Sequence, residues 1–198
     1  MTDLTTTYLG MKLKNPLVAS ASPLSKKVEL ARRLEESGVS AIVMYSLFEE
    51  QILHDSKQLD HFLSFGTNSF QEAMSYFPEM EKYNVGPEGY LTQIDSLKKA
   101  TTVPIIASLN GISSGGWVEY ARRIQDAGAD ALELNFYYIP TQLELPSLQL
   151  EKAYIQLVKD IRAVISIPMA VKLSASFLFS PGTAAALFKS LKFRLFNK

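Results

Sequence analysis

The chain has 198 residues, of which 47% are hydrophobic and 20% charged, and its formal net charge at pH 7 is zero. A zero net charge gives no support for nucleic-acid binding, which needs a basic excess. The lack of cysteine excludes disulfides, thiolate catalysis and cysteine-ligated metals. With no signal-peptide pattern and no apolar run of membrane-spanning length, we expect a cytoplasmic protein without a membrane partner.

A helix-to-strand unit occurs twice in the sequence. Residues 30–46 read LARRLEESGVSAIVMYS, and residues 120–136 read YARRIQDAGADALELNF. In each unit an amphipathic run with two arginines stops at a glycine, Gly38 or Gly128, and a short apolar run follows. Because glycine adopts the left-handed conformation that closes a helix, each unit predicts a helix, a C-cap and a buried strand.

In chain order, predicted strands alternate with predicted helices. The strands are expected at residues 15–20, 41–45, 103–108, 131–135 and 167–173. The helices are expected at residues 22–37, 89–101, 114–128 and 148–165. A long irregular segment at 46–89, rich in aromatic residues, is typical of a functional loop or lid. The alternation predicts a parallel sheet built from right-handed β-α-β units.

Two architectures fit such a sheet: an eight-stranded barrel and an open doubly wound sheet. A dinucleotide-binding sheet needs G-x-G-x-x-G at the first strand-to-helix turn, where residues 19–25 read ASASPLS. We therefore favour a (β/α)8 TIM barrel, whose chemistry lies at the carboxyl ends of the strands. Polar residues cluster at those predicted ends: Ser20, Ser22, Tyr45, Ser46, Ser108, Asn110, Asn135, Lys172 and Ser174.

Two of these residues are the main binding candidates. Lys172, inside an apolar strand, could hold an anion or an electron-rich ring nitrogen, or could extend past the strand edge into solvent. Asn135 could bind a ligand through its amide or could cap its strand. Glu133 shares a strand face with Asn135, and a structural hydrogen bond is the favoured role for it. His54 and His61 match no strong zinc spacing, so no metal is expected.

Five segments together resemble the dihydroorotate dehydrogenase family. Residues 7–23, TYLGMKLKNPLVASASP, resemble its opening, a short hairpin followed by N-P-[VL]-x-x-A-S. The segments SAIVMYS, VPIIASLNG, GADALELNF and IPMAVKLS follow in the order and spacing of the family's next four strands. The resemblance covers roughly residues 5–174 and is strongest to the bacterial dihydroorotate dehydrogenase-like proteins.

The resemblance implies an FMN-dependent flavoprotein with a (β/α)8 barrel, an oxidoreductase that oxidises a CH–CH bond in pyrimidine biosynthesis. By position it implies contacts to the flavin from five residues: Ala19, Ser20, Ser46, Asn135 and Lys172. It likewise implies contacts to a dihydroorotate-like substrate from Asn68 and Asn135. A cation such as Lys172 beside the flavin would stabilise the negative charge that the ring acquires on reduction.

Two positions depart from the family pattern. Tyr45 stands where the family has a lysine at the end of the second strand. Tyr138 falls on the family's catalytic base, and a tyrosine with an ordinary pKa near 10 is a poor base. The usual dihydroorotate oxidation is therefore doubtful, and a non-catalytic protein that binds a ligand or a partner is an alternative. Another phosphate-binding barrel, such as a lyase or an isomerase, is a weaker one.

The composition changes after residue 174. Residues 175–198 contain four of the 20 basic side chains and none of the 20 acidic ones, and the helix-glycine-strand unit does not recur there. In the family, strands six to eight would follow and supply the FMN phosphate site. We therefore expect residues 1–174 to be the N-terminal part of a barrel, about five of eight strands, and residues 175–198 to be an atypical tail. The free edge of strand five predicts self-association. We expect a C-terminally truncated or frameshifted product, inactive or impaired in this form, and a deliberately short half-barrel is the less favoured alternative.

Overall fold

Strands and helices alternate through the part of the chain that the computed structural model describes, residues 2–48, 87–110, 114–136 and 147–173. The strands are β1 Thr6–Tyr8, β2 Met11–Leu13, β3 Val18–Ala19, β4 Ala41–Val43, β5 Leu47–Phe48, β6 Ile105–Asn110, β7 Ala131–Phe136 and β8 Met169–Leu173. The helices are a 3-10 helix at Pro23–Lys26, α1 Val28–Glu36, α2 Pro87–Ala100, α3 Ser114–Asp126 and α4 Ser147–Val164.

The main sheet is parallel and follows chain order. Its strands lie in the order β3-β4-β6-β7-β8, and β5 also pairs with β6. The sheet curls, and the described strands form part of a TIM barrel. The predicted alternation of strands and helices around a parallel sheet is thus confirmed. Within the described residues, no helix is both long and apolar enough to cross a membrane.

The side-chain alternation of β7 shows how the sequence builds two faces. Leu132, Leu134 and Phe136 are buried on the outer face, in the core that the four helices share. Glu133 and Asn135 point to the opposite, inner face of the curled sheet. Because successive residues of a strand point to opposite faces, the sequence ALELNF supplies apolar packing outside and polar groups inside.

Both glycines of the repeated unit close a helix in the same way. Gly38 has a φ of 101° and Gly128 a φ of 93°, a region that side chains with a Cβ rarely adopt. After α1, the N–H of Gly38 donates to the Glu35 carbonyl at 2.9 Å, and the N–H of Val39 donates to the Leu34 carbonyl at 3.2 Å. The end of α3 repeats both bonds with the same spacing, at 2.9 Å and 3.3 Å. This pair is the Schellman motif, so the prediction of two glycine C-caps is confirmed.

The antiparallel hairpin β1–β2 covers the amino-terminal end of the inner face. The apolar cluster there is small and separate from the helix-side core, and its buried members are Leu13, Ala41, Val43, Ile106 and Ala131. The hairpin that the family resemblance implied is therefore present. It leaves the carboxyl-terminal half of the inner face to polar residues.

Two predicted elements differ most from the structure. The strand expected at 15–20 is reduced to Val18–Ala19, and the side chain of Asn15, which precedes it, donates to the Gly38 carbonyl at 2.9 Å. The helix expected at 22–37 is broken at Lys27, whose backbone is extended at φ −122° and ψ 127°. The break separates the 3-10 helix from α1. The tail predicted at 175–198 lies outside the described residues.

Candidate functional site

A bulge interrupts the second barrel strand beside the polar half of the inner face. The register between the β4–β5 segment and β6 changes from Val43 opposite Ile106 to Leu47 opposite Leu109. Three residues of the β4–β5 segment therefore face two residues of β6. One extra residue in a strand bends it and turns the following side chains to the other face.

The bulge decides where three consecutive side chains point. Met44 is fully buried in the helix-side core, and Tyr45 packs against that core with its ring 5.1 Å from the ring of Tyr90. Ser46 lies on the inner face, where its Oγ is 2.9 Å from the Oγ of Ser108. We expected Tyr45 at the rim with the other polar residues, but its ring lies on the helix side because the bulge inverts the alternation.

Two side-chain hydroxyl groups make hydrogen bonds with the backbone of Ser108 and Tyr45 at the bulge. The Tyr90 hydroxyl accepts the N–H of Ser108 at 2.8 Å and lies 3.3 Å from the Ser108 carbonyl, to which it donates. The Ser25 Oγ accepts the N–H of Tyr45 at 2.7 Å. Burial raises the pKa of Tyr90 far above its ordinary value, so its hydroxyl stays protonated. We call Ser25 and Tyr90 the bulge clasp.

A connected set of polar side chains occupies the inner face at the carboxyl ends of the strands. We call it the inner-face cluster, and its members are Ser46, Ser108, Glu133, Asn135 and Lys172. The Asn135 Nδ2 donates to the Ser108 Oγ at 2.8 Å and to the Leu109 carbonyl at 3.3 Å. Asn135 is only 2% exposed, and its Oδ1 is buried with no hydrogen-bond partner among the described residues. A buried acceptor without a partner is costly, which makes this oxygen a candidate ligand contact.

A charged pair completes the cluster. The Lys172 Nζ lies 3.9 Å from the Glu133 Oε1, and the Ser108 Oγ donates to the same oxygen at 3.5 Å. The Glu133 side chain is 10% exposed, whereas that of Lys172 is 46% exposed. The carboxylate is therefore held inside the sheet, and the ammonium group remains accessible to a ligand.

The hairpin approaches the cluster from the amino-terminal side. Burial and, to a smaller extent, the negative charge of Glu133 raise the pKa of the Tyr8 phenol. Tyr8 is the last residue of β1, so the hairpin lies within electrostatic reach of the inner face.

The structure brings together three of the predicted cofactor residues, Ser46, Asn135 and Lys172. Asn135 and Lys172 stand directly opposite each other in the β7–β8 ladder. Ala19 and Ser20 lie at the carboxyl end of β3, the strand beside β4, and Ser20 is exposed. Their predicted backbone contact with a flavin stays a prediction.

Other predicted site residues lie outside the described part of the chain. These are Asn68, Tyr138 and the rim residue Ser174; His54 and His61, at which no metal was expected, lie outside it as well. Within residues 2–48, 87–110, 114–136 and 147–173, no group of three or more His, Asp or Glu side chains could hold a metal ion. Sequence reasoning missed Ser25 and Tyr90, because a buried tyrosine at a helical apolar position predicts only core packing.

Comparison with curated proteins gives relatives of one kind. The chain is 30% identical to the NAD-dependent dihydropyrimidine dehydrogenase subunit PreA of Escherichia coli (strain K12) over 136 residues, which are 68% of this chain and 32% of that protein. It is 32% identical to the catalytic subunit of dihydroorotate dehydrogenase B (NAD(+)) of Methanosarcina acetivorans over 127 residues, 64% of this chain and 38% of that one. The chain is homologous to the dihydropyrimidine and dihydroorotate dehydrogenases. The resemblance predicted from the five sequence segments is thus confirmed.

The matches cover only part of each relative. A putative dihydroorotate dehydrogenase A (fumarate) of Aeropyrum pernix is 25% identical over 178 residues, 88% of this chain and 54% of that protein. The chain therefore spans between about a third and about half of the length of these dehydrogenases. No family model matches the chain.

Solved structures agree on the fold. The 4-hydroxy-tetrahydrodipicolinate synthase of Methylacidiphilum fumariolicum SolV matches with a TM-score of 0.53 at 14% identity, over 89% of this chain and 50% of that one. A putative dihydrodipicolinate synthetase of Pseudomonas aeruginosa matches with a TM-score of 0.51, also at 14% identity, over 89% of this chain and 51% of that one. These likenesses concern the fold alone and agree with a partial TIM barrel. The FMN-linked type of barrel stays a prediction.

Proposed function

We propose that this chain is part of an FMN-dependent oxidoreductase that acts on a CH–CH bond of a dihydropyrimidine-type ring. The homology to dihydropyrimidine and dihydroorotate dehydrogenases supports the reaction class. One observation carries the proposal for the site: Asn135 and Lys172 stand opposite each other on the inner face, one with a buried, unpaired acceptor and the other with an accessible ammonium group. Barrel enzymes place their chemistry at this end of the strands.

The described residues fit a flavin ring chemically. The ring edge carries both N–H donors and carbonyl acceptors, so it needs an acceptor and a donor side by side. The buried Oδ1 of Asn135 would accept from the ring, and the Lys172 ammonium group would donate to it. When bound, FMN supplies the hydride-accepting group of the reaction.

Lys172 has a second role in this proposal. Beside a bound flavin its positive charge would stabilise the negative charge that the ring gains on reduction. Glu133 limits the movement of the ammonium group, since its carboxylate is held 3.9 Å away in the wall of the site. Ser46 lies on the same inner face and extends the polar surface toward β3, where Ala19 and Ser20 would contact the flavin through their backbone.

The proposal assigns the remaining roles to residues outside the described ranges. Asn68 would bind the substrate together with Asn135, and Tyr138, which follows β7 by two residues, occupies the position of the catalytic base. Because a tyrosine is a weak base at neutral pH, we expect proton abstraction from dihydroorotate to be impaired. A different dihydropyrimidine is therefore the preferred substrate class in this proposal.

A second function is favoured by one specific observation. Tyr45 occupies the position of the family's second-strand lysine, and its ring packs on Tyr90 at the helix side. That position therefore contributes no charge to the inner face. A protein that binds a flavin or a similar ring without catalysing its reduction would keep Asn135 and Lys172 and would not need this cation.

Anaerobic reduction of the bound flavin distinguishes the two functions. The purified chain of 198 residues is loaded with FMN, freed of excess ligand, and mixed with dihydroorotate or dihydrouracil. The oxidoreductase predicts bleaching of the flavin absorbance by at least one of them, and a Lys172→Met variant should bleach more slowly. Retained flavin that neither compound bleaches supports the binding protein. A folded chain that retains no flavin contradicts both.

A further inference from the structure

We infer that Tyr90 and Ser25 are positioning residues, whose hydroxyl groups close the β4–β5 bulge and thereby hold Ser46 and Ser108 together on the inner face. The inference rests on the proposed function only where it concerns flavin binding. Its structural part stands on the register of the strands and on three hydrogen bonds.

The ladder between β4 and β6 shows what the bulge removes. The N–H of Met44 donates to the carbonyl of Ile106 at 2.8 Å, so the backbone groups of Ile106 face β4. Two residues further along, both backbone groups of Ser108 face the same way, because directions in a strand repeat every two residues. In an uninterrupted parallel ladder both groups would pair with the neighbouring strand. Here pairing resumes only beyond the bulge, at Leu47 opposite Leu109, and the Ser108 N–H has no partner in that strand.

The Tyr90 hydroxyl takes the place of the strand partner that the Ser108 N–H lacks. It accepts from the Ser108 N–H and also donates to the Ser108 carbonyl. Tyr90 is 1% exposed, so no solvent can replace it without a change in structure. A phenylalanine would fill the same volume and would leave the N–H of Ser108 unpaired, at a cost that buried polar groups rarely bear.

Ser25 does the same on the opposite strand. Tyr45 lies in the bulge, and the Ser25 Oγ accepts its N–H at 2.7 Å. The Ser25 carbonyl in turn accepts from the Gln93 side chain at 3.0 Å. Because Tyr90 and Gln93 both belong to α2, this one helix fixes both sides of the bulge.

The consequence reaches the inner face through Ser108. Its backbone is held by Tyr90, and its side chain bonds Ser46 and Asn135 at 2.9 Å and 2.8 Å. A displacement of Ser108 would therefore displace the hydrogen bond that orients the Asn135 amide. The bulge clasp sets the geometry of the inner-face cluster although neither of its members belongs to that cluster.

Amide hydrogen exchange tests the structural part without any ligand. In Tyr90→Phe we expect the Ser108 amide to exchange at least about tenfold faster than in the parent chain, beyond any change shared by all amides. The matched control is Tyr120→Phe, which removes a hydroxyl from a half-buried tyrosine of α3 and should leave the Ser108 amide unchanged. Equal protection of Ser108 in the parent and Tyr90→Phe would overturn the inference.

A second variant covers the case in which Tyr90→Phe does not fold. Ser25→Ala removes the acceptor for the Tyr45 amide together with a local bond to the Ser22 carbonyl. The Tyr45 amide should therefore exchange at least about tenfold faster while the helix-side core stays protected. An unchanged Tyr45 amide in Ser25→Ala would overturn the role of the clasp.

Measurements of FMN affinity test whether Tyr90 positions the inner-face cluster or only stabilises the fold. We expect Ser46→Ala and Tyr90→Phe each to weaken FMN binding. The double variant should bind FMN as well as the single variant with the lower affinity does, because both substitutions act through the Ser46–Ser108 pair. Full multiplication of the two losses, or unchanged affinity in Tyr90→Phe, would contradict positioning. If the parent chain binds no FMN, the proposed function fails, and hydrogen exchange at Ser108 alone decides the inference.

Discussion

The two faces of the curled sheet have opposite compositions although the same strands build them. In β7, residues 131–136, the even-numbered positions are Leu, Leu and Phe and pack outward against the helices. The odd-numbered positions are Ala, Glu and Asn and face inward. The outer face therefore holds the apolar packing that stabilises the fold, and the carboxyl half of the inner face holds groups that suit a ligand.

The inner face is itself divided along the strands. Near the amino-terminal ends it is apolar and covered by the hairpin, through contacts of Leu13 with Val43 and Ile106. Near the carboxyl ends it carries Glu133, which is 8% exposed, and Asn135 with its unpaired oxygen. Burying such groups costs stability, so their presence is better explained by ligand binding than by folding.

The largest expected effect comes from the outer face. Phe136 is fully buried and its ring stacks on Tyr154 with a centroid separation of 4.4 Å. We expect Phe136→Ala to lower the free energy of unfolding by about 3–5 kcal/mol, measured by urea denaturation. Its neighbour Asn135 faces inward, and Asn135→Ala should cost only about 1 kcal/mol. A similar loss of unfolding free energy in both variants would show that the outer face does not contribute more to stability than the inner face.

For ligand binding, the inner-face residue Asn135 should matter more than the outer-face residue Phe136. Asn135→Ala should weaken FMN binding about tenfold or more, because the unpaired Oδ1 and the hydrogen bond from the side-chain amide to Ser108 are both lost. Phe136→Leu, which keeps an apolar side chain on the outer face, should leave the affinity within about twofold. Isothermal calorimetry on both variants measures the difference. An Asn135→Ala protein that binds FMN as the parent does would remove the main support for the site.

The alkaline stability of the chain tests the neutral state of Tyr90. Its pKa in the folded state is raised by burial, so its contribution to stability is complete below the ordinary value near 10 and is lost at higher pH, where the unfolded chain releases the proton. Between pH 9 and pH 11 the parent should lose about 1.4 kcal/mol more of its unfolding free energy than Tyr90→Phe. Parallel pH profiles in urea denaturation would argue against a buried, neutral phenol.

The smallest effect is expected at the amino-terminal edge of the sheet. Lys98 pairs with Asp130 at 2.7 Å, and both side chains are about a third exposed. Lys98→Met should therefore cost about 0.2–1 kcal/mol and leave FMN affinity unchanged, because the pair lies at the opposite end of the strands from the cluster. Thermal denaturation together with an FMN titration checks both parts, and a clear loss of affinity would show that the two ends are coupled.

The sequence predicted the features that local chemistry determines. Gly38 and Gly128 close their helices because a left-handed residue is needed there, and this requirement is visible in the sequence. The inward direction of Asn135 and Lys172 follows from strand alternation, and the two residues do stand side by side. The repeated helix-to-strand unit likewise predicted a parallel sheet, because strands joined by β-α-β connections run in the same direction.

The bulge could not be predicted in the same way. Residues 41–48 read AIVMYSLF, and simple alternation would turn Leu47 inward and Ser46 outward. The observed inversion depends on Tyr90, a distant residue of α2 whose hydroxyl meets the strand only in the folded protein. A tyrosine at a helical apolar position predicts core packing, so the sequence did not predict the hydrogen bonds of its hydroxyl group. The same holds for the break at Lys27, which accompanies the use of Ser25 at the bulge.

An FMN titration followed by amide NMR on the chain of 198 residues tests the central claim most directly. If the inner-face cluster binds the flavin ring, the side-chain amide of Asn135 and the backbone amides of Ser108 and Lys172 should shift and saturate together. The amides of Leu13 and Ala41, in the apolar cluster under the hairpin, should stay in place. Saturable shifts confined to the outer face, or no shifts at all in the folded chain, would contradict the proposed site.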